Sequence, residues 1–282
     1  ILLPWFIRFG FQEMNKISNN LGRELFEKEY LVWNMKKILV IGESCLDIFQ
    51  YGNVERISPE APIPVFCPTY KTENPGMAGN VFQNIQGFDV EAVLHTNTNW
   101  REISKTRFVE VKSNHMFLRV DENDNQYGRC NIKNVDLKQY DGIIISDYAK
   151  GFLSTQDIQY IAKNHPMTFI DSKKPFGNWM KNLSFIKINN NEFKRAKNNI
   201  SKELFSKLIV TLGPDGAMHN GNIYPVPKVE IRDVAGAGDS WLSAFVIGYL
   251  GHEQIEQAIV AANAAATKVV QQRGVSIIWE KS

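Results

Sequence analysis

The sequence has few cysteines, almost no net charge and no long apolar run, and each shortage argues against a class of protein. Its three cysteines, Cys45, Cys67 and Cys130, show neither paired nor metal-type spacing, which is typical of a reduced, cytoplasmic protein. The formal net charge of +2 comes without basic runs interleaved with aromatics. No apolar run is long enough to span a bilayer, and residues 1–7 are broken by Pro4 and lack a small-residue cleavage site. We therefore expect a cytoplasmic protein with neither a membrane nor a nucleic acid as its partner.

Short continuous apolar runs recur along the chain and predict parallel strands that are buried on both faces. The first covers residues 35–42 and marks the start of a domain, so residues 1–34 are expected to be an extension of unknown role. Similar runs lie at 142–146, 167–171, 185–188 and 208–212. Helix-like patterns lie at 154–164, 237–250 and 253–272. This alternation predicts an α/β domain over 35–282, with a mostly parallel central sheet and helices on its faces.

The most informative segment is the run Asp-Val-Ala-Gly-Ala-Gly-Asp at 233–239, which leads directly into a helical pattern. Its small residues Gly236, Ala237 and Gly238 let a phosphate approach the backbone, where the helix N-terminus offers free N–H groups and the positive end of its dipole. Asp239, in the first helical turn, is well placed to take a proton from a hydroxyl that attacks the phosphate. A capping Asp after a Gly-rich turn gives the same local pattern, so the motif alone leaves both interpretations open.

Two other segments, 49–70 and 107–121, alternate in polarity and contain turn residues. The turn residues are Gly52-Asn53, Ser58-Pro59, Ala61-Pro62 and Ser113-Asn114. The pattern predicts antiparallel strands that project from the main sheet, over about 47–70 and 107–121. Such a projection would act as a lid that keeps water from a phosphoryl donor. It would otherwise be an edge extension that mediates dimerisation, and the two roles are compatible.

Polar residues follow several of the predicted strands. Asp47, Asp147 and Asn189 each come soon after an apolar run, and Asp171 ends another. Because ligands of open α/β sheets lie beyond the carboxyl ends of the strands, we expect these side chains to face a binding site. Asp171 is the exception, since a single such residue is more simply interpreted as a helix cap.

Three motifs give the chain its resemblance to the ribokinase-like, phosphofructokinase B-type sugar kinases, over most of residues 36–276. They are the run at 233–239, the Pro-Gly-Met-Ala-Gly-Asn segment at 75–80 and the Asn-Asn-Asn-Glu segment at 189–192. Segments 56–64, 118–121 and 146–151 are most similar to the heptose 7-phosphate kinases of ADP-heptose synthesis. The resemblance implies a three-layer α/β/α ribokinase-like fold with a small β-strand lid, and it implies ATP and Mg²⁺ as cofactors.

The same resemblance implies roles in phosphoryl transfer for individual residues. Asp239 would deprotonate the sugar hydroxyl, while the amides of Gly236, Ala237 and Gly238 stabilise the transferring phosphoryl group. The nucleotide would contact Thr211, Gly213, Gly216 and Asn263. For Asn263, a solvated helix position is an equally good interpretation.

The resemblance also implies sites for the metal ion and the acceptor. Asn189 and Glu192 would hold Mg²⁺ through its waters, the alternative being an Asn turn beside a surface Glu. Sugar hydroxyls would be bound by Asp47 and Asn80, with Gly76 allowing close approach. A phosphate on the acceptor would meet Arg119, Lys150 and Lys173.

The chain departs from the family pattern at two places. Gly76 is followed by Met77 where relatives have two glycines, and we expect the side chain to narrow or reshape the sugar pocket. The stretch 80–118 is short, and a helix–strand unit of the relatives is reduced there to 95–101.

The expected activity is therefore that of an ATP-dependent sugar kinase, with D-glycero-D-manno-heptose 7-phosphate phosphorylated at its anomeric O1 as the specific hypothesis. Ribose, fructose or a nucleoside is the alternative acceptor. A degenerate protein that binds nucleotide or sugar without catalysis is the alternative class, and a homodimer formed through the lid strands is the possible assembly.

Overall fold

The computed structural model describes residues 36–88, 90–272, 274 and 278, so the expected extension over 1–34 lies outside the described residues. The strands are β1 (Lys37–Gly42), β2 (Ser44–Ile57), β3 (Pro64–Met77), β4 (Glu91–His95), β5 (Ser104–Glu110), β6 (Met116–Glu122), β7 (Gly142–Asp147), β8 (Thr168–Ser172), β9 (Phe185–Asn189), β10 (Leu208–Thr211), β11 (Ala217–His219) and β12 (Asn222–Tyr224). The α-helices are α1 (Ala78–Gln86), α2 (Thr155–Asn164), α3 (Asn190–Ala196), α4 (Lys202–Phe205), α5 (Ala237–His252) and α6 (Ile255–Val269). Short 3₁₀ helices lie at Ile132–Asn134, Leu137–Gln139, Asn178–Met180, Lys197–Asn199 and Gly213–Asp215.

The main sheet has eight strands in the order β12-β11-β10-β9-β8-β7-β1-β4. Neighbours from β10 to β4 run parallel, and β11 and β12 add an antiparallel hairpin at one edge. Alternate residues of β1 enter different cores, with Ile38 and Val40 on one side and Leu39 and Ile41 on the other. Burial on both faces explains why the predicted strands are continuous apolar runs.

Helices cover both faces of this sheet and create three layers. Helices α1, α5 and α6 pack on one face, and α2 and α4 pack on the other. This arrangement confirms the α/β/α fold that the motifs imply. Helix α6 ends at Val269, before the predicted 272, because the amide of Gln272 donates to the Val269 carbonyl in a tighter i−3 turn. No helix in the described residues is long and apolar enough to cross a membrane.

The remaining strands form a second sheet in the order β3-β2-β5-β6, which we call the lid sheet. The pairs β2–β3 and β5–β6 are antiparallel, as the alternating segments predict, but β2 and β5 run parallel. The prediction of a turn at Gly52-Asn53 is wrong. These residues continue β2 beside a register shift, and the chain reverses at 58–63. Gly52 is needed there because the ring of Phe66 occupies the place of a Cβ.

Candidate active site

A cavity of about 1020 Å³ opens at the carboxyl ends of β8, β9 and β10. Its walls include Asp171, Asn189 and Thr211 from those strand ends, together with the first residues of α5. This is the position at which ligands bind in open α/β sheets, and the volume suits a ligand of nucleotide size. The cavity therefore joins two features that the sequence predicts separately, the strand ends and the 233–239 motif.

The N-terminus of α5 has the properties of an anion site. Gly236 is its N-cap residue, with φ 77°, and no side chain caps the helix. The amide of Ala237 donates to the Val234 carbonyl at 3.3 Å, so it is partly used within the loop. The amides of Gly236 and Gly238 have no acceptor among the described residues, and both glycines line the cavity. Two of the three predicted amides thus remain for an anion.

Lys187 places an ammonium group beside this helix end. Its Nζ lies 3.0 Å from the position that a Cβ on Gly238 would take, a contact so tight that a larger residue at 238 would displace the ammonium group slightly. Lys187 is only 6% exposed and lines the cavity from the middle of β9. Lys187 is not among the predicted site residues, although a lysine inside an apolar run close to Asn189 is a usable signal.

Asp239 lies in the first turn of α5, half-buried at the cavity wall. Its Oδ2 accepts a hydrogen bond of 2.8 Å from Asn80 Nδ2, and the hydroxyl of Tyr148 lies 3.5 Å from its Oδ1. Burial raises the pKa of Asp239 to about 6, against the opposing effects of the Asn80 hydrogen bond and of Lys187. At neutral pH the group is therefore mainly a carboxylate whose proton affinity is higher than usual, as suits a general base.

Asn80 is predicted to bind the sugar, and its observed partner is the carboxylate of Asp239. It also lies next to Asn84, whose Nδ2 donates to the Asn80 carbonyl at 2.9 Å. The observed contacts make Asn80 a residue that orients Asp239, and sugar binding stays a prediction.

Asp171 and two lysines form a charged network on the cavity floor. Asp171 pairs with Lys187 and with Lys173, whose Nζ also lies 2.7 Å from Glu192 Oε1. Although burial opposes ionisation, the two ammonium groups keep the pKa of Asp171 below its usual value. The interpretation of Asp171 as a helix cap is wrong, because β8 leads into a loop and the carboxylate is committed to these ion pairs.

Asn189 and Glu192 form a reciprocal capping box at the start of α3. Asn189 Oδ1 accepts from the amide of Glu192, and Glu192 Oε2 accepts from the amide of Asn189, both at 2.9 Å. Among the described residues there is no group of three or more His, Cys, Asp or Glu placed to hold a metal directly. The remaining lone pairs of these hard oxygen donors suit a hydrated Mg²⁺ ion, which keeps several of its waters. Asn189 and Glu192 therefore fit the predicted binding of Mg²⁺ through its waters, and this binding stays a prediction.

All four residues predicted to contact the nucleotide line the cavity, namely Thr211, Gly213, Gly216 and Asn263. The alternative of a solvated Asn263 is wrong, since this residue is only 5% exposed. Its Oδ1 accepts from Trp241 Nε1 at 2.8 Å, and its Nδ2 donates to the Tyr224 carbonyl at 2.7 Å. These two hydrogen bonds fix the amide of Asn263 in the cavity wall, and its contact with the nucleotide stays a prediction.

Of the three cations predicted for an acceptor phosphate, Arg119 lies in β6 of the lid sheet and Lys150 in the loop after β7. Arg119 makes two hydrogen bonds of 2.7 Å to Asp121, and Lys150 pairs with Asp124. Lys173 belongs instead to the network on the cavity floor, with Asp171 and Glu192. Lys173 therefore does not lie with Arg119 and Lys150, as the prediction of a shared phosphate site requires.

The lid sheet adds two cations that the sequence analysis missed. Arg107 pairs with Asp47, and its guanidinium lies 5.0 Å from the centre of the Phe49 ring. Lys105, only 6% exposed, pairs with Asp124. Gly76 lies against this group, where an added Cβ would be 3.2 Å from Asp47 Cβ. Its missing side chain therefore makes room for Asp47, and close approach of a sugar stays a prediction.

The chain is similar in sequence to known carbohydrate kinases. The model of the pfkB family carbohydrate kinases matches residues 84–282. The protein named Bifunctional protein HldE of Helicobacter pylori (strain J99 / ATCC 700824) is 31% identical over an alignment of 295 residues, which covers 85% of this chain. The protein of the same name from a Nitratiruptor species is 30% identical and covers 84% of this chain. The chain spans 64% and 62% of the lengths of these two relatives.

Solved structures share the fold at low sequence identity. A carbohydrate kinase from Agrobacterium tumefaciens superposes with a TM-score of 0.65 at 19% identity, covering 88% of this chain and 94% of the other. The nucleoside kinase of Methanocaldococcus jannaschii, described as an archaeal member of the ribokinase family, has a TM-score of 0.62 at 16% identity, covering 86% and 93% of the two chains. These similarities establish a ribokinase-like fold.

Proposed function

This chain belongs to the pfkB family of carbohydrate kinases, and on that premise we propose that it transfers the γ-phosphoryl group of ATP to a hydroxyl of a sugar or sugar phosphate. The observation that carries the proposal is the position of Asp239. A carboxylate with a raised pKa lies in the first turn of a helix whose terminal amides and neighbouring Lys187 form an anion site. A base beside an anion site is the arrangement that phosphoryl transfer to an alcohol requires.

In the proposed reaction, Asp239 takes the proton of the acceptor hydroxyl as its oxygen attacks the γ-phosphorus. The new oxygen–phosphorus bond forms while the bond to the β-phosphate oxygen breaks, and ADP leaves with that electron pair. The amides of Gly236 and Gly238 and the ammonium of Lys187 stabilise the charge on the transferring group. Asn80 and Tyr148 orient the carboxylate. Magnesium, bound with the nucleotide near Asn189 and Glu192, would neutralise phosphate charge.

For the acceptor we propose D-glycero-D-manno-heptose 7-phosphate, phosphorylated at its anomeric O1. Support comes from the segments resembling heptose 7-phosphate kinases and from relatives named Bifunctional protein HldE. It also comes from four cations, which we call the lid cations: Lys105, Arg107 and Arg119 of the lid sheet, and Lys150 of the loop after β7. A phosphate could share them with their present carboxylate partners. Arginine and lysine are the side chains that bind phosphate through charge-assisted hydrogen bonds.

An acceptor panel tests this assignment through ADP release from ATP. Each charge-assisted hydrogen bond contributes about 1.5–3 kcal/mol, so loss of the acceptor phosphate is expected to lower kcat/KM roughly 10²-fold or more. The panel compares the heptose 7-phosphate with the unphosphorylated heptose, ribose, fructose and a nucleoside. Preference for an unphosphorylated sugar would reject the heptose assignment. ATP binding without ADP release from any sugar would favour the binding-only alternative.

We further propose that the protein is cytoplasmic and forms a homodimer through the outer face of the lid sheet. The free state of Cys45, Cys67 and Cys130 fits a reducing compartment. Leu118 and Val120 are 49% and 38% exposed, on the face of β6 opposite to Arg119, and such apolar patches mark interaction surfaces.

Light scattering tests the dimer. The unmodified protein is expected to have the mass of two chains, and the variant Leu118→Asp/Val120→Asp the mass of one, because charges on the buried face would oppose association. Val260→Asp is the matched control, since Val260 is 58% exposed on α6, and this variant is expected to remain dimeric. A monomeric unmodified protein would contradict the assembly.

A further inference from the structure

Met77 has a backbone conformation that residues other than glycine seldom adopt. It is the last residue of β3 and the N-cap of α1, with φ 59° and ψ −126°. In this left-handed region a Cβ is crowded by the neighbouring backbone, which is why glycine is the usual occupant. Strained backbone of this kind persists only where the surrounding structure holds it, and it is concentrated at functional sites.

The surrounding structure holds Met77 from both sides. Met77 pairs with Ser44 in the lid sheet, and the next amide, of Ala78, donates to the Glu43 carbonyl at 2.9 Å. Met77 is 5% exposed and belongs to a small buried cluster with Cys45, Ile103 and Tyr127. The half-buried Tyr148 packs against this cluster. A glycine would fit the backbone here without strain, so the distinctive contribution of Met77 is its side chain.

Tyr127 and Tyr148 contact different carboxylates of the site. The hydroxyl of Tyr148 lies 3.5 Å from Asp239 Oδ1, beside the proposed base. The hydroxyl of Tyr127 donates to Asp124 Oδ1 at 2.7 Å, and Asp124 is the carboxylate that pairs with both Lys105 and Lys150. The thioether of Met77 is 3.6 Å from that same Tyr127 hydroxyl. The cluster that contains Met77 thus lies between the tyrosine beside the proposed base and the tyrosine beside Asp124.

We propose that Met77 is a specificity-determining positioning residue. Its side chain fixes Tyr148 and Tyr127 and thereby sets the distance between the proton acceptor and the lid cations on the acceptor side. That distance selects acceptors by the separation of their reacting hydroxyl from their charged end. The inference rests on the proposed function, because it assumes that a sugar phosphate bridges these two groups.

Two variants separate the backbone of Met77 from its side chain. Met77→Ala removes the packing but keeps a Cβ in the left-handed conformation, whereas Met77→Gly removes both the packing and the strain. We expect both to raise the acceptor KM roughly tenfold and to reduce the preference for the heptose 7-phosphate over a sugar phosphate shorter by one carbon. Discrimination over one methylene of a substrate is about tenfold or more, so its loss is measurable. The KM for ATP is expected to stay within about twofold. Met77→Leu, which refills the space, should restore discrimination.

Thermal melting supplies a readout that needs no turnover. Met77→Gly is expected to melt at a higher temperature than Met77→Ala, because only glycine accepts the conformation without strain. Val260→Ala, at an exposed valine of α6 outside the lid sheet, is the control and should behave as the unmodified protein does. An active unmodified enzyme with unchanged acceptor KM and discrimination in both Met77 variants would overturn this inference alone. An unmodified enzyme inactive with every acceptor would overturn the proposed function and this inference with it.

Discussion

Replacing Asp239 with asparagine is expected to lower kcat by about 10²- to 10⁴-fold, the usual contribution of a positioned general base. Asparagine has nearly the same size, and its Oδ1 can still accept the hydrogen bond from Asn80 Nδ2, so the fold should be kept. An amide cannot take the proton of the acceptor hydroxyl at any working pH. ATP binding, measured by calorimetry, should be retained, because the cavity walls and the helix amides are unchanged.

The pH profile gives an internal control for this variant. Since the pKa of Asp239 is raised to about 6, the carboxyl gains a proton as the pH falls through that value and can then no longer act as a base. The turnover of the unmodified enzyme should therefore decrease as the pH falls below about 6. The residual activity of Asp239→Asn should show no such decrease, because the variant lacks the group that titrates. Activity of Asp239→Asn within about tenfold of the unmodified enzyme would remove Asp239 from the mechanism.

Replacing Lys187 with methionine is expected to lower kcat by about 10²- to 10³-fold, the range seen when one donor to the developing charge is removed. Its ammonium lies beside Gly238 at the helix N-terminus, where the transferring group would pass. Methionine keeps the length and packing of the side chain but carries no charge. The acceptor KM should change little, because the loss falls on the transferring phosphoryl group.

The single Lys187 variant leaves Asp171 without its main partner, which can destabilise a protein by about 3–5 kcal/mol. The matched control is therefore Lys187→Met/Asp171→Asn, which removes both charges and is expected to regain thermal stability without regaining turnover. Lys163→Met, at an exposed lysine at the end of α2, should be unaffected in both respects. Recovery of turnover in the double variant would mean that Lys187 serves only to neutralise Asp171.

Much of the fold follows from local pattern. The apolar runs at β1, β7, β8, β9 and β10 predict buried parallel strands because both faces of those strands are covered by helices. The turn predicted at Gly52-Asn53 is wrong, because a dipeptide that favours a turn also tolerates the shift in register of a long, bent strand. The parallel pairing of β2 with β5 depends on a distant crossover and has no local signal.

The candidate site likewise contains some residues that local sequence predicts and others that it does not. The residues around 236–239 act through their own backbone and helix, so their motif predicts their arrangement. Lys187, Tyr148 and Arg107 act through partners on other strands and helices, namely Asp171, Asp239 and Asp47. No spacing in the sequence encodes those pairs. Asp171 was misassigned for that reason, because its role depends on Lys187 in the neighbouring strand.

The central claim is that this protein moves a phosphoryl group from ATP to a sugar hydroxyl rather than to water. ATP labelled in its terminal phosphoryl group, incubated with the purified protein, Mg²⁺ and the heptose 7-phosphate, tests it most directly. We expect the label to appear in the sugar, ATP cleavage to require the sugar, and the Asp239→Asn variant to transfer no measurable label. Label released only as inorganic phosphate, at the same rate with and without the sugar, would contradict the account.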